Sequence, residues 1–398
     1  MTTAGGSGER TVFGPARLGP LTLKNRIIKS ATFEGASPKG VVTDELIAFH
    51  ERVARGGAAM TTVAYLAVSP EGRTDRHCVL LGEGSLSGLG RLTAAVHGAG
   101  ALASAQIGHA GPVANSKSNG APALSPTRRF GASGSLTRAV GAADVARITE
   151  DYRRGAGTAV AAGFDAIEVH LGHNYLLSSF LSPKLNRRSD EWGGALESRA
   201  RFARQVVAAV RDGAGPEVAV TAKLNMTDGV PGGFDLPESV EVARMLAADG
   251  HLDALELTGG SSLSNPMYLF RGDAPRAEFA ATLPQPLRLG FKVVGTRFLK
   301  AYPFEEGYFR PEARRFLGSV DLPLILLGGI NRLDTVESAL AEGFAFVAMA
   351  RALLREPDLV ARWEQGGRDA GRCTHCNRCM PSIYTGTTCV EAGPATVA

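Results

Sequence analysis

Residues 165–194 read DAIEVHLGHNYLLSSFLSPKLNRRSDEWGG. The apolar run Ala166-Ile167-Glu168-Val169 has the composition of a buried strand and ends at His170, with His173 and Tyr175 close behind. Three polar rings therefore leave one strand end together, and the apolar run Tyr175-Leu176-Leu177 follows at once. Strand ends are where α/β barrels carry their chemistry. Two imidazoles can hold a developing oxyanion, and a phenol can supply a proton. Any one of these residues alone is as readily a structural donor or a core ring. The combination H-x-x-H-x-Y, with FLSP and NRR behind it, points to a site.

Outward from this stretch, strand-like and helix-like runs alternate. Strands are predicted in NRIIKSAT (25–32), AAMTTVAYLAV (58–68), ALASAQIGHAG (101–111), DAIEVH (165–170), EVAVTAKLN (217–225), LDALELTGG (252–260), LPLILLGG (322–329) and FAFVAMAR (344–351). Helical patterns lie between them, one opened by Thr43-Asp44-Glu45 and another carrying Pro237 in its first turn. Repeated βα units imply parallel strands, and eight of them close into a (β/α)₈ TIM barrel. The expected division is a barrel over residues 1–366 and a short Cys-rich extension over 367–398. A doubly wound sheet is the rival, weakened because no strand is followed by G-x-G-x-x-G. Residues 261–315 lack clear βα form; an excursion of that size after a barrel strand is expected to cover the site.

Bulk properties exclude some classes. Hydrophobic residues make up 44% of the 398, ample for a core, and the net charge is only +4. Basic residues are dispersed, so no nucleic-acid partner is expected. The N-terminus has no apolar signal region and no stretch is long and apolar enough for a membrane helix, so a cytoplasmic protein is expected. A reducing compartment makes disulfides among the five cysteines improbable.

The parts of a phosphate site are present. Gly328-Gly329-Ile330 follows the seventh strand and Ala350-Arg351 the eighth. Glycine lets backbone N–H groups approach an anion, and arginine forks onto phosphate oxygens; packing glycines and a surface arginine are the plainer alternative. Lys223 and Gln106 lie within apolar strands, where a polar group must reach a partner. Together they suit a planar heterocycle carrying carbonyls and ring nitrogens beside a phosphate.

LKNRIIKS, SPEGR, AQIGHAG, the H-x-x-H-x-Y block with FLSPKLNRRSDEWGG, LLGGI and MARALLREP together resemble the Old Yellow Enzyme family of FMN-dependent oxidoreductases, from about Phe13 to Arg362. The resemblance implies FMN in a TIM barrel, reduced by NADH or NADPH, and hydride transfer to an electron-poor alkene. It implies that His170 and His173 hold the substrate carbonyl and that Tyr175 delivers the proton. It puts Gln106 on the flavin pyrimidine, Lys223 near its N1 where the family usually has Arg, and Ser30, Ala31 and Thr32 beside the ring. It assigns the phosphate to Gly328, Gly329, Ala350 and Arg351. Three departures stand out: Phe33 where many members carry Thr or Cys, Asn174 where a small residue is common, expected to narrow or re-polarise the pocket, and Ala350 in place of glycine.

Cys373, Cys376, Cys379 and Cys389 give C-x-x-C-x-x-C-x₉-C. Such spacing suits an iron–sulfur cluster or zinc, and a metal-free tail is the third possibility. His375 is expected to be exposed and Cys78 to be a plain core or loop thiol. The tail also resembles the 4Fe–4S segment of the 2,4-dienoyl-CoA reductase and trimethylamine dehydrogenase branch, with a shorter last gap. That branch continues into further cofactor domains, which this sequence lacks, so a cluster would need another electron partner.

The function expected from the sequence is an FMN-dependent ene-reductase. The alternatives are an FMN/iron–sulfur dehydrogenase feeding a partner protein, a flavin-binding redox sensor, and a non-redox phosphate-binding barrel. Expected partners are a small-molecule substrate, an electron-transfer protein if a cluster is present, and a second copy of the chain.

Overall fold

The computed structural model describes residues 10–283, 285, 287–383 and 386–392. Residues 1–9 of the expected barrel and 384, 385 and 393–398 of the expected tail lie outside the described residues. Eight strands follow one another as predicted: β1 (Ile27–Phe33), β2 (Met60–Ala67), β3 (Leu102–Gly108), β4 (Ala166–Leu171), β5 (Ala219–Asn225), β6 (Ala254–Thr258), β7 (Leu324–Leu326) and β8 (Phe346–Met349). Each pairs in parallel with its neighbours, and β1 pairs with both β2 and β8, which closes the barrel. The strands read as continuous apolar runs because helices cover their outer faces while side chains fill the interior.

Helix starts follow local chemistry. Thr43 caps the helix Asp44–Arg55 by accepting from the Leu46 N–H at 3.2 Å, with Asp44 and Glu45 at its positive end. Asp235 caps Leu236–Ala248, where Pro237 sits in the first turn as predicted.

The N-terminal end of the barrel is closed by a feature the sequence pattern did not reveal. An antiparallel hairpin, Ala16–Leu18 with Leu21–Leu23, buries Ala16, Leu18 and Leu23 against strand starts including Ala166, Ala219 and Ala254. Its three-residue strands are too short to show a period. At the other end, the segment after β6 contains the helices Arg276–Thr282, Leu287–Phe298 and Arg310–Ala313 and a small core of Met267, Phe291 and Leu299.

Met380, from the Cys-rich tail, belongs to that same core. The tail is docked on the barrel mouth. Asp273 N–H donates to His375 O at 3.0 Å, Gly371 N–H to Asn331 O at 2.7 Å, and Thr387 N–H to Glu34 O at 2.6 Å. Gly35 and Gly272 have φ of +64° and +130°, and a Cβ there would stand 2.3 Å and 2.1 Å from the carbonyls of Ile383 and His375, so both contacts need glycine. Among the described residues no helix is long and apolar enough to cross a membrane.

Candidate active site

The turn after β4 places the three rings. His173 and Asn174 both take left-handed backbone conformations, φ 60° and 59°. Side-chain ties hold this turn: His173 N–H donates to Asn225 Oδ1 at 3.1 Å, and Asn174 Nδ2 donates to Asp228 Oδ1 at 2.9 Å. Asn174 is buried with its amide on Asp228, so it ties the turn to the β5 exit rather than re-polarising a pocket.

His170 and His173 stand with ring centroids 5.0 Å apart, and His170 and Tyr175 at 4.6 Å, edge to face. Tyr65, from β2, completes the cluster 5.4 Å from Tyr175 and donates its own hydroxyl to Gly72 O. A chain of contacts runs from Thr258 Oγ1 to His173 Nε2 at 3.0 Å, then from His173 Nδ1 to His170 Nε2 at 3.3 Å. His170 Nδ1, at the end of the chain, is buried without a partner. Neutral imidazole has one N–H, so the proton on Thr258 decides whether that last nitrogen donates or accepts. Burial holds both rings neutral: His170 lies well below the ordinary imidazole value, and His173 is lowered to about 3, with the Lys223 ammonium adding to the effect.

Beneath the rings, inside the barrel, lies a charged floor. Lys223 Nζ donates to Glu168 Oε1 at 3.0 Å, to Glu256 Oε1 at 2.6 Å and to Ser30 Oγ at 3.1 Å. Ser30 Oγ donates to Glu256 at 2.7 Å, and Gln106 Nε2 to Glu168 Oε1 at 2.6 Å. Strand register sets this up, with Gln106 beside Glu168, and Lys223 beside both His170 and Glu256. Sequence reasoning singled out Lys223 and Gln106 but missed Glu168 and Glu256. The signal was the same one, a lone charge in an apolar strand. Thr258, Asn225 and Asp228 were also missed; hydroxyl, amide and carboxylate groups at strand exits give no period to find.

The remaining predicted residues spread around the mouth. The Thr32 hydroxyl faces away from the floor, donating to Glu34 and accepting from Lys29. The Ser30 hydroxyl, by contrast, turns into the barrel onto Glu256 and Lys223. Gly328 and Gly329 have φ of 113° and 70°, and a Cβ would stand 2.6 Å from Phe309 and 2.4 Å from Tyr308. Packing and backbone conformation thus both require glycine there. Arg351 starts a short helix just after Ala350, and its guanidinium donates to Asn377 Oδ1 and, at 3.1 Å, to Arg271 O.

Cys373, Cys376, Cys379 and Cys389 line one small cavity of about 20 Å³ with Arg351 and Asn377. Burial pushes the Cys379 thiol up to about 11 and raises that of Cys373. His375, expected to be exposed, is buried and stacked on Phe304 with centroids 3.4 Å apart, because Gly272 lets the tail backbone approach. Cys78 is a core thiol, buried and bonded to Tyr65 O.

The closed parallel barrel thus carries polar rings at its C-terminal mouth, a buried lysine and an amide beneath them, and paired glycines and an arginine after its last two strands. Residues 11–257 match the model of the NADH:flavin oxidoreductase / NADH oxidase family, and the chain belongs to that family of FMN-dependent reductases. It is 58% identical over 391 residues to the 4,4'-dithiodibutanoate disulfide reductase of Rhodococcus erythropolis, covering 98% of this chain and 96% of that one. It is 30% identical to a metal reductase of Desulforamulus reducens over 94% of this chain but only 52% of that protein. The fold is similar to that of 2-naphthoyl-CoA reductase (TM-score 0.82, 23% identity, 96% of this chain, 57% of that one) and of morphinone reductase (TM-score 0.73, 24% identity, 97% and 96%). The chain thus spans about half the length of some relatives and nearly all of others.

Proposed function

We propose that the protein takes electrons from NADH or NADPH and delivers them to a small electron-poor acceptor seated over His170, His173 and Tyr175. Bound FMN supplies the two-electron transfer. Gln106 and Lys223 would face its pyrimidine edge, Ser30 and the Ala31–Thr32 backbone its ring, and Gly328, Gly329, Ala350 and Arg351 its phosphate. The convergence of two neutral imidazoles and one phenol within 4.6–5.0 Å, centroid to centroid, carries this reading.

An alkene beside a carbonyl is the acceptor this geometry supports best. The 3.3 Å contact between the imidazoles is long for a hydrogen bond. A carbonyl oxygen entering between the rings would take their N–H groups, and those bonds strengthen as enolate charge builds. The Tyr175 hydroxyl would protonate the α-carbon. A second acceptor, an organic disulfide, is favoured by the 58% identity to the Rhodococcus disulfide reductase. There the same donors would stabilise and protonate the departing thiolate.

Anaerobic assays of NADH and NADPH oxidation with 2-cyclohexenone and with 4,4'-dithiodibutanoate separate the two. Enone turnover supports the first acceptor, and thiol release from the disulfide alone supports the second. A colourless protein active on neither overturns both. Tyr175→Phe is expected to leave flavin reduction by the nicotinamide intact and to slow alkene reduction about 10²–10⁴-fold. An unchanged alkene step would move the proton donor elsewhere.

For the tail we propose a 4Fe–4S cluster held by Cys373, Cys376, Cys379 and Cys389, supported by their spacing and their common cavity; among the described residues no three such groups already stand as a metal site, so a cluster would have to draw the thiols together. Protein purified without oxygen is then expected to show broad absorbance beyond the flavin bands, together with iron and sulfide, and Cys376→Ser should remove it. Flavin bands alone would mean a metal-free tail, and one zinc per chain a structural zinc site.

A further inference from the structure

The floor of the barrel does not balance its charge. Glu168 is 3% exposed, Glu256 1% and Lys223 2%, and the two carboxylates share one ammonium. One further cation, Lys29, lies close enough to act on Glu256 through space, and it is already committed to Glu34. On β1, Lys29 points the opposite way from Ser30 and pairs with Glu34 at 2.9 Å under the helix Asp44–Arg55, beside the buried, neutral His50. On β3 the neighbour is the uncharged Gln106, and on β4 it is the neutral His170, with the neutral His173 just beyond. An uncompensated charge in so dry a place is costly unless it can be neutralised.

We propose that Glu168 takes up a proton when the flavin above Lys223 is reduced, so that the barrel floor itself offsets the negative charge that reduction adds. This rests on the placing of FMN over Gln106 and Lys223 given above. Bound FMN would accept a hydride from NADH or NADPH, which would leave as the oxidised nicotinamide, and the cofactor would gain one negative charge. One proton from solvent forms an O–H bond on Glu168. Lys223, until then shared between two carboxylates, is released to face the reduced flavin and Glu256. Glu168 is the carboxylate suited to this: Lys223 stands nearer to Glu256, 2.6 Å against 3.0 Å, and Glu256 also accepts from Ser30, while Glu168 shares Gln106 with the flavin edge. Burial, only partly offset by Lys223, raises its carboxyl to about 7, where a modest change in nearby charge moves the proton. Glu168 is a positioning and proton-storing residue; it does not touch the acceptor.

The test is the flavin midpoint potential of the FMN-loaded protein as a function of pH. Above about pH 7, where Glu168 is ionised until the flavin is reduced, the wild type should show a slope twice that of one proton per two electrons, and Glu168→Gln the single-proton slope throughout. A merely structural glutamate would leave the slope unchanged. Equal slopes in the two proteins, with Lys223→Met still shifting the potential, would overturn this inference alone. If Lys223→Met leaves the potential untouched, the placing of the flavin fails as well. Should Glu168→Gln not hold FMN, an infrared difference spectrum of the wild type on reduction decides. A new protonated-carboxyl band supports the proposal, and its absence overturns it.

Discussion

Replacing Lys223 by Met is expected to destabilise the fold by about 3–5 kcal/mol near neutral pH, the usual cost of leaving buried charge without its partner. Lys223 contacts Glu168, Glu256 and Ser30 at 2.6–3.1 Å in a part of the barrel closed to water. Met keeps much of the volume, so the loss is electrostatic rather than a cavity effect. Its pH dependence identifies it. Burial already raises the folded-state value of Glu168 above that of the unfolded chain, and removing the ammonium raises it further. The folded variant therefore binds more protons than the unfolded chain, and its stability falls as pH rises from about 4.5 through 7 and beyond. Denaturant melts at pH 5 and pH 8 should show the larger deficit at pH 8. An equal deficit at both would mean that lost packing is responsible.

The double replacement His170→Ala with His173→Ala is expected to cut turnover of the acceptor by about 10²–10³-fold, the typical effect of losing donors to a developing oxyanion. Binding of phenolate ligands should weaken in the same variant; unchanged phenolate binding would remove the pair from the substrate site. A stability readout accompanies it. Both imidazoles are held neutral in the fold, His173 down to about 3, while in the unfolded chain they take up protons near 6.5. Depressed folded values mean stability that is complete above about 6.5 and lost as pH falls toward 3. The double variant should accordingly lose less stability than the wild type between pH 6.5 and pH 4. Parallel acid profiles would show that the two rings are solvated.

Much of the fold was legible because a parallel barrel repeats one simple unit. The strands are short, largely apolar runs, and helical patterns alternate with them along the chain. The rings at 170, 173 and 175 were legible for a related reason: they stand close together in sequence, so one turn gathers them. Lys223 and Gln106 betrayed themselves as polar residues in apolar strands. Glu168 and Glu256 carried that same mark, yet their importance appears only when strands distant in sequence are laid side by side.

By itself, then, the order of residues determined the barrel, its eight strands and the ring cluster at the mouth, because these depend on local periodicity and short separations. Only the folded chain decided the rest. It seated the N-terminal hairpin across the strand starts. It buried His375 against Phe304 and bound Arg351 to the tail through Asn377. It also brought two carboxylates to one ammonium from three separate strands. Those contacts join residues far apart along the chain, where no spacing rule reaches and only strand register and packing can choose the partner.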